Sequence, residues 1–130
     1  MKTPFKKAVG NRGESIVASY LEEKGYKILE RNFRSGRNEI DVVAEDGDFI
    51  VFVEVKTTSS DRSEDFKLPR EAVDKNKKER IIECARDYIM KHRCSYEGYR
   101  FDVIEVYLNR DTPEINHIEN AFYKKERTYR

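Results

Sequence analysis

Residues Asn38 to Thr57 read NEIDVVAEDGDFIVFVEVKT, and the fold turns on how this stretch pairs with itself. Two apolar, β-branched runs, Ile40 to Ala44 and Phe49 to Val55, flank Glu45-Asp46-Gly47-Asp48. An Asp-Gly step between such runs is the strongest short-range signal for a tight hairpin. With Asp46 and Gly47 as the loop residues, Glu45 faces Asp48, Asp41 lies across from Phe52, and Glu39 lies across from Glu54. Side chains alternate along a strand, so Glu39, Asp41, Glu54 and Lys56 all emerge on one side of the ribbon. A four-residue loop keeps that parity, whereas a three-residue loop would turn Asp41 away from Glu54. Asp41 then stands diagonal to Glu54 at roughly 7 Å between backbones, and three carboxylates with one ammonium on a single face have the composition of a divalent-metal site.

The run FIVFVEVK puts Glu54 and Lys56 in one of the most apolar segments of the chain. A carboxylate there must be paired, hydrogen-bonded or metal-bound, because burying it alone costs several kcal/mol. Three arrangements meet that demand. Lys56 can pair with Glu54 or Glu39 on a solvated sheet face; the carboxylates can hold a structural ion; or Asp41 and Glu54 can bind Mg²⁺ or Mn²⁺ while Lys56 stabilises charge developing on a phosphate.

Upstream, apolar residues at Val9, Ile16, Val17, Tyr20 and Leu21 mark one face of a helix from about Pro4 to Lys24, opened by Thr3-Pro4 and stopped by Gly25. Gly10 and Gly13 interrupt it, and two glycines so close in a helix suggest near approach of another backbone or a ligand. Glu14, on the flank of the apolar stripe, can reach the carboxylate face if this helix packs on the sheet; a solvated helix glutamate fits the periodicity equally well. Tyr26 to Asn32 reads as a first strand and Phe33 to Arg37 as a short basic loop into the hairpin.

Downstream, Thr57 to Leu68 is polar and aperiodic, a mobile loop in this reading. Pro69 to His92 turns helical, with a stripe of Val73, Ile81, Ile82, Cys84, Ala85, Tyr88 and Ile89. Tyr99 to Leu108 carries apolar residues on both faces, as an interior strand does. Asn109 to Pro113 turns, Ile115 to Phe122 makes a short last strand or helical turn, and Tyr123 to Arg130 is a basic tail. Helix, three strands, helix, strand and a short terminal element predict an α/β fold in which a mixed sheet carries a helix on each side.

The chain has 130 residues, 39% of them charged, with a formal net charge of +1, which suits one domain with a highly charged surface and excludes a diffuse polycation. No run approaches the roughly 18 apolar residues of a membrane span, and MKTPFKKAVG lacks a signal peptide's apolar centre, so the expected compartment is the cytosol. Cys84 and Cys94 lack metal-ligand spacing and read as small hydrophobes. His92 and His117 have no acidic or cysteine partner in motif spacing and read as surface or structural histidines. Basic residues gather near Lys2, Lys6, Lys7 and Arg12, near Arg31, Arg34 and Arg37, near Lys75, Lys77, Lys78 and Arg80, and in the tail. Positive walls around a negative pocket would give this near-neutral sum, as would ordinary solvated charge.

Asp41 and, after twelve intervening residues, Glu54-Val55-Lys56 resemble the PD-(D/E)xK pattern of restriction-endonuclease-like nucleases, with Ile40 in place of the pattern's proline. Gly10-x-x-Gly13-Glu14, Gly25-Tyr26, Arg31-Asn32, Glu39-Ile40-Asp41, Phe52 to Lys56, Phe101-Asp102-Val103 and Asn120-Ala121-Phe122 extend the resemblance over nearly the whole chain to the bacterial YraN family of predicted endonucleases. Asn38 stands where that family has a glycine. The resemblance implies a restriction-endonuclease-like fold and hydrolysis of a phosphodiester bond in DNA by water that Mg²⁺ or Mn²⁺ activates. In that mechanism Asp41 and Glu54 are the ligands and Lys56 the electrostatic stabiliser, with Glu14 and Glu39 as second-rank candidates for a second ion or for orienting water. Lys77 resembles a basic position that touches substrate phosphate; Lys78, Arg37 and Arg12 are further candidates for nucleic-acid contact. A weaker resemblance to archaeal Holliday-junction resolvases brings in branched DNA and a two-fold dimer. A nuclease-like module that binds nucleic acid without cutting it, or an interaction domain whose hairpin charges keep the sheet soluble, are the competing functions.

Overall fold

The computed structural model describes residues 4–58, 75–93, 95–108 and 112–122. Helix α1 (Pro4–Glu23) is followed by strands β1 (Lys27–Ser35), β2 (Asn38–Asp46) and β3 (Phe49–Thr58), helix α2 (Lys75–His92), and strands β4 (Gly98–Tyr107) and β5 (Glu114–Phe122). The strands form one sheet in chain order. β1, β2 and β3 are an antiparallel meander, β4 runs parallel to β3 after the α2 crossover, and β5 returns antiparallel to β4. The sheet is therefore mixed, as the sequence pattern requires, and its architecture is restriction-endonuclease-like.

α1 covers one face with Val17 and Leu21 against Tyr26, Val42, Val51, Val53, Ile104 and Val106. α2 covers the other with Ile81, Cys84, Ala85 and Tyr88 against Phe33, Val43, Phe52, Phe101 and Val103. Phe101 to Tyr107 are all buried, because β4 is an interior strand covered on both faces. Cys84 is a buried hydrophobe whose thiol burial pushes up to about 11. Among the described residues no helix is long and apolar enough to cross a membrane.

α1 ends where Gly25 takes a left-handed φ of 95°. The Tyr26 amide then returns to the Leu21 carbonyl at 2.9 Å and the Gly25 amide to Glu22 at 3.0 Å, the double bond of a Schellman cap. Two local expectations are corrected. Phe33 to Ser35 continue β1 rather than starting a basic loop, because Phe33 is buried beneath α2 in a ring contact with Tyr88 and only Gly36 and Arg37 turn the chain. In the central hairpin Asp46 pairs with Phe49 and Glu45 with Ile50, not with Asp48. Gly47, at φ 60°, occupies the first loop position instead of the second, where a type II′ turn needs a glycine. The shift is an even one, so parity survives it. The last element is a strand, not a helical turn. Val73, Cys94, most of the Thr57 to Leu68 stretch and the Tyr123 to Arg130 tail lie outside the described residues.

Candidate active site

The β2–β3 ladder ends at the Val42–Val53 pair. Beyond it β2 stays with β1 as far as Asn38, while β3 stays with β4 as far as Thr58. The sheet forks there, and Asp41 and Glu54 stand at the fork. Asp41 Oδ2 accepts a hydrogen bond from the Val55 amide at 2.8 Å, replacing the missing strand partner with a side chain. Strict alternation does not hold through this point: Ile40 packs on the α2 side and Val42 on the α1 side. Strand parity alone therefore does not account for the meeting of the acids, which takes place where β2 and β3 part.

A cavity of about 770 Å³ opens at the fork. α1 contributes Gly10 and Glu14; the β1–β2 turn, Arg37; β2, Asn38, Glu39 and Asp41; β3, Glu54 to Thr58; and α2, Lys77, Arg80 and Ile81. Glu14 is delivered by a close helix–strand contact. A Cβ built on Gly13 would stand 1.9 Å from Thr57 Oγ1, so glycine alone lets α1 approach the end of β3 this closely. Gly10 has open space around it and lines the cavity wall.

Glu54 is 6% exposed, with Lys77 Nζ at 2.7 Å and Lys56 Nζ at 3.4 Å, both on Oε2. Burial, reinforced by Glu54, pushes the half-buried Asp41 up to about 8; the Val55 amide counters this and Glu14 adds to it. Burial opposes the Lys77 charge, yet Glu54 and then Asp41 hold its ammonium above the ordinary value. Arg31 lies 3.9 Å from Glu14 Oε1. Glu39 sits at the rim, 3.5 Å from Arg34.

Seven of the nine candidate residues therefore line one cavity: Asp41, Glu54, Lys56, Glu39, Glu14, Lys77 and Arg37. Two do not. Arg12 lines a separate groove with Ser15, Ser19 and Tyr20, because it projects from another side of α1 than Glu14. Lys78 lies over the Phe122 ring at 5.9 Å, one helical position round from Lys77. Arg80, in the sequence one member of a basic cluster, is in the cavity as well; its i+3 spacing from Lys77 puts both on one helix face.

Away from the cavity, Asp102 is fully buried on β4. Its oxygens receive Arg100 Nε at 2.9 Å, the Asn120 amide at 3.0 Å and His117 Nε2 at 2.7 Å, and His117 Nδ1 meets the Tyr20 hydroxyl at 3.0 Å. His117 thus gains an acidic partner through the β4–β5 pairing, one that motif spacing does not reveal. The network ties α1 to both strands and takes no part in the cavity.

Residues 13–106 match the model of the uncharacterised protein family UPF0102. The chain belongs to that family. A UPF0102 protein of Caldanaerobacter subterraneus subsp. tengcongensis is 49% identical over 125 residues, 94% of this chain and 100% of that relative. A UPF0102 protein of Geobacter metallireducens is 46% identical, covering 89% of this chain and 93% of its own; one from Caldicellulosiruptor saccharolyticus is 41% identical over 90% and 98%. The UPF0102 match begins at Gly13 and ends within β4, so it contains Glu14 and every cavity residue that follows.

Proposed function

We propose that the protein is a metal-dependent endonuclease that hydrolyses phosphodiester bonds in DNA, branched recombination or repair intermediates among its candidate substrates. One observation carries this reading: Asp41, fixed by the Val55 amide, and the buried Glu54 meet at the fork of the sheet in one cavity with Glu14, Lys56 and Arg80. Burial and the neighbouring Glu54 raise the Asp41 carboxyl, so a divalent cation beside the two would favour the ionised pair. The donors fit Mg²⁺ or Mn²⁺, since all are carboxylate oxygens. Among the described residues no three His, Cys, Asp or Glu side chains gather into a complete site, so Asp41 and Glu54 would hold the ion and water or substrate oxygens would fill its remaining positions. The ion would supply Lewis-acid polarisation of the phosphate and a water of lowered pKa.

The chain's own residues do the rest. Asp41, fixed by the Val55 amide, and Glu54 define the negative point of the cleft. Lys56, on the strand position two beyond Glu54, supports charge on the phosphoryl oxygens. Arg37 and Arg80 at the wall neutralise flanking phosphates. Glu14 and Glu39 orient water from the other two sides.

A non-cleaving nucleic-acid module is the second reading. It is favoured by the closeness of Lys77 and Lys56 to Glu54, which already balances that carboxylate. A panel of linear, flapped, nicked and four-way DNA plus RNA, incubated with Mg²⁺ or Mn²⁺, separates the two. Cleavage by the wild-type protein and at least about 100-fold less by Glu54→Gln is expected on the nuclease reading. Binding without cleavage would favour the module, and equal cleavage by Glu54→Gln would point to a contaminating nuclease.

A further inference from the structure

The ammonium of Lys77 occupies one of the two Glu54 oxygens that a divalent ion would draw on. Its Nζ is 2.7 Å from Glu54 Oε2, and an ion such as Mg²⁺ binds carboxylate oxygen at about 2.0–2.1 Å. An ion on that oxygen would bring two positive charges together across one atom, so the two cations compete for Glu54. Lys56 is a different case: at 3.4 Å it lies beyond the roughly 2.7–2.9 Å of a charge-assisted hydrogen bond, and its strand anchors it beside Glu54 whatever else is bound.

Helix stability does not account for the placement of Lys77. α2 has no acid in its first turn, which carries Lys75, Lys77 and Lys78, and cations near a helix N-terminus oppose the macrodipole by about 0.3–1 kcal/mol each. Glu54 is what rewards Lys77 for being there. The lysine also has somewhere to go, because its side chain is 38% exposed against 6% for its partner and its four-carbon stem is flexible.

We propose that Lys77 is a built-in placeholder cation: it neutralises Glu54 in the metal-free protein and gives up that carboxylate to a divalent ion that competes for it. This rests on the reading of the cavity as a divalent-cation site. Displacement frees a cation of α2 toward the open cavity at the moment the ion arrives, so ion binding and the capture of a substrate phosphate are coupled. The same contact weakens the ion's apparent affinity by the fraction of molecules in which Glu54 is open.

Calorimetric titration of Mn²⁺ into the wild-type protein, Lys77→Met, Lys77→Arg and Glu54→Gln tests this, with melting temperatures measured with and without the ion. Lys77→Met should bind Mn²⁺ about tenfold more tightly, which corresponds to a closed state that outnumbers the open one by about ten to one. It should also melt lower than wild type without metal and close that gap when saturated. Lys77→Arg should stay near wild type. Equal or weaker binding by Lys77→Met, with binding abolished by Glu54→Gln, overturns the placeholder role and leaves the cation site standing. No Mn²⁺ binding by any of the four proteins overturns both. A second measurement needs only folded wild-type protein: in a ¹⁵N-lysine sample, the Lys77 side-chain resonance, identified by its loss in Lys77→Arg, should shift when Mg²⁺ saturates. A resonance that stays put under saturating Mg²⁺ also overturns the placeholder role.

Discussion

Asp41 shares its cleft with Glu54 and Glu14, whereas Asp102 faces Arg100 and His117, and the two carboxyls therefore answer pH in opposite senses. Asp41 is raised from 3.8 to about 8, by burial first and then by Glu54. The folded protein thus holds a proton that the unfolded chain releases, and stability falls as pH rises from about 4 toward 8. In Asp41→Asn this fall should largely disappear, so urea melts of the metal-free variant should gain on wild type across that window and match it near pH 3. Asp102 is buried, yet the His117 and Arg100 hydrogen bonds and the Asn120 amide hold it below its ordinary value of 3.8. Its contribution is present above that value and lost as pH drops through the folded pKa. Asp102→Asn should cost about 3 kcal/mol at pH 7, the low end for breaking a buried ion pair, with the difference shrinking as acid protonates the wild type. A constant difference from pH 7 to pH 2 would show that packing, not charge, is what the substitution removes.

At the scale of elements, the contact between α1 and the end of β3 sets where Glu14 sits. Alanine at position 13 would gain roughly 1 kcal/mol of helix propensity, but its Cβ would meet Thr57 Oγ1 at 1.9 Å and Cγ2 at 2.8 Å. Overpacking costs about 1–3 kcal/mol, so Gly13→Ala should be destabilising, and Thr57→Ala should recover most of the loss by removing both atoms. A double-mutant cycle on melting free energies measures this; additive effects would mean that the two elements do not touch. The sequence announces such a contact through paired glycines in a helix, though not which of the two serves it. Elements punctuated by local chemistry were legible: Gly25 ends α1, and Asp46-Gly47 marks the hairpin. The register was not, because Asp-Gly-Asp permits glycine at either loop position and only the formed strands choose. The full length of β1 is hidden in the sequence because Arg31, Arg34 and Arg37 surround Phe33, and their charge masks a residue that α2 buries. Glu54, Lys56 and Asp41 could be read together because they lie on adjoining strands of one hairpin. The approach of Lys77 to Glu54, and of His117 to Asp102, depends on packing between elements far apart in the chain, which no local period encodes.

For the molecule as a whole, a net charge of +1 leaves little long-range attraction for a polyanion, so on the proposed nuclease reading affinity for nucleic acid would come from where the cations stand. Arg37, Lys56, Lys77 and Arg80 line the cavity, but Lys56 and Lys77 are engaged with Glu54. In metal-free protein, therefore, Arg37 and Arg80 should dominate phosphate contact at the cleft. Each phosphate neutralised contributes about −0.9 to the slope of log K against log salt, so Arg37→Ala combined with Arg80→Ala should flatten the slope for a labelled DNA duplex by about 1.8. Arg12→Ala, which alters the separate groove on α1, should leave the slope unchanged. Fluorescence anisotropy in EDTA over a series of KCl concentrations reads both. An unchanged slope in the double variant would place the DNA on another face of the protein, and a flattened slope in Arg12→Ala would extend the DNA path across α1. With Mn²⁺ in place of EDTA the wild-type slope should steepen as Lys77 turns to phosphate, whereas in Lys77→Met the ion should still bind and leave the slope as it was. The ion then has no lysine to release, and the phosphate contact that release would add is lost with it.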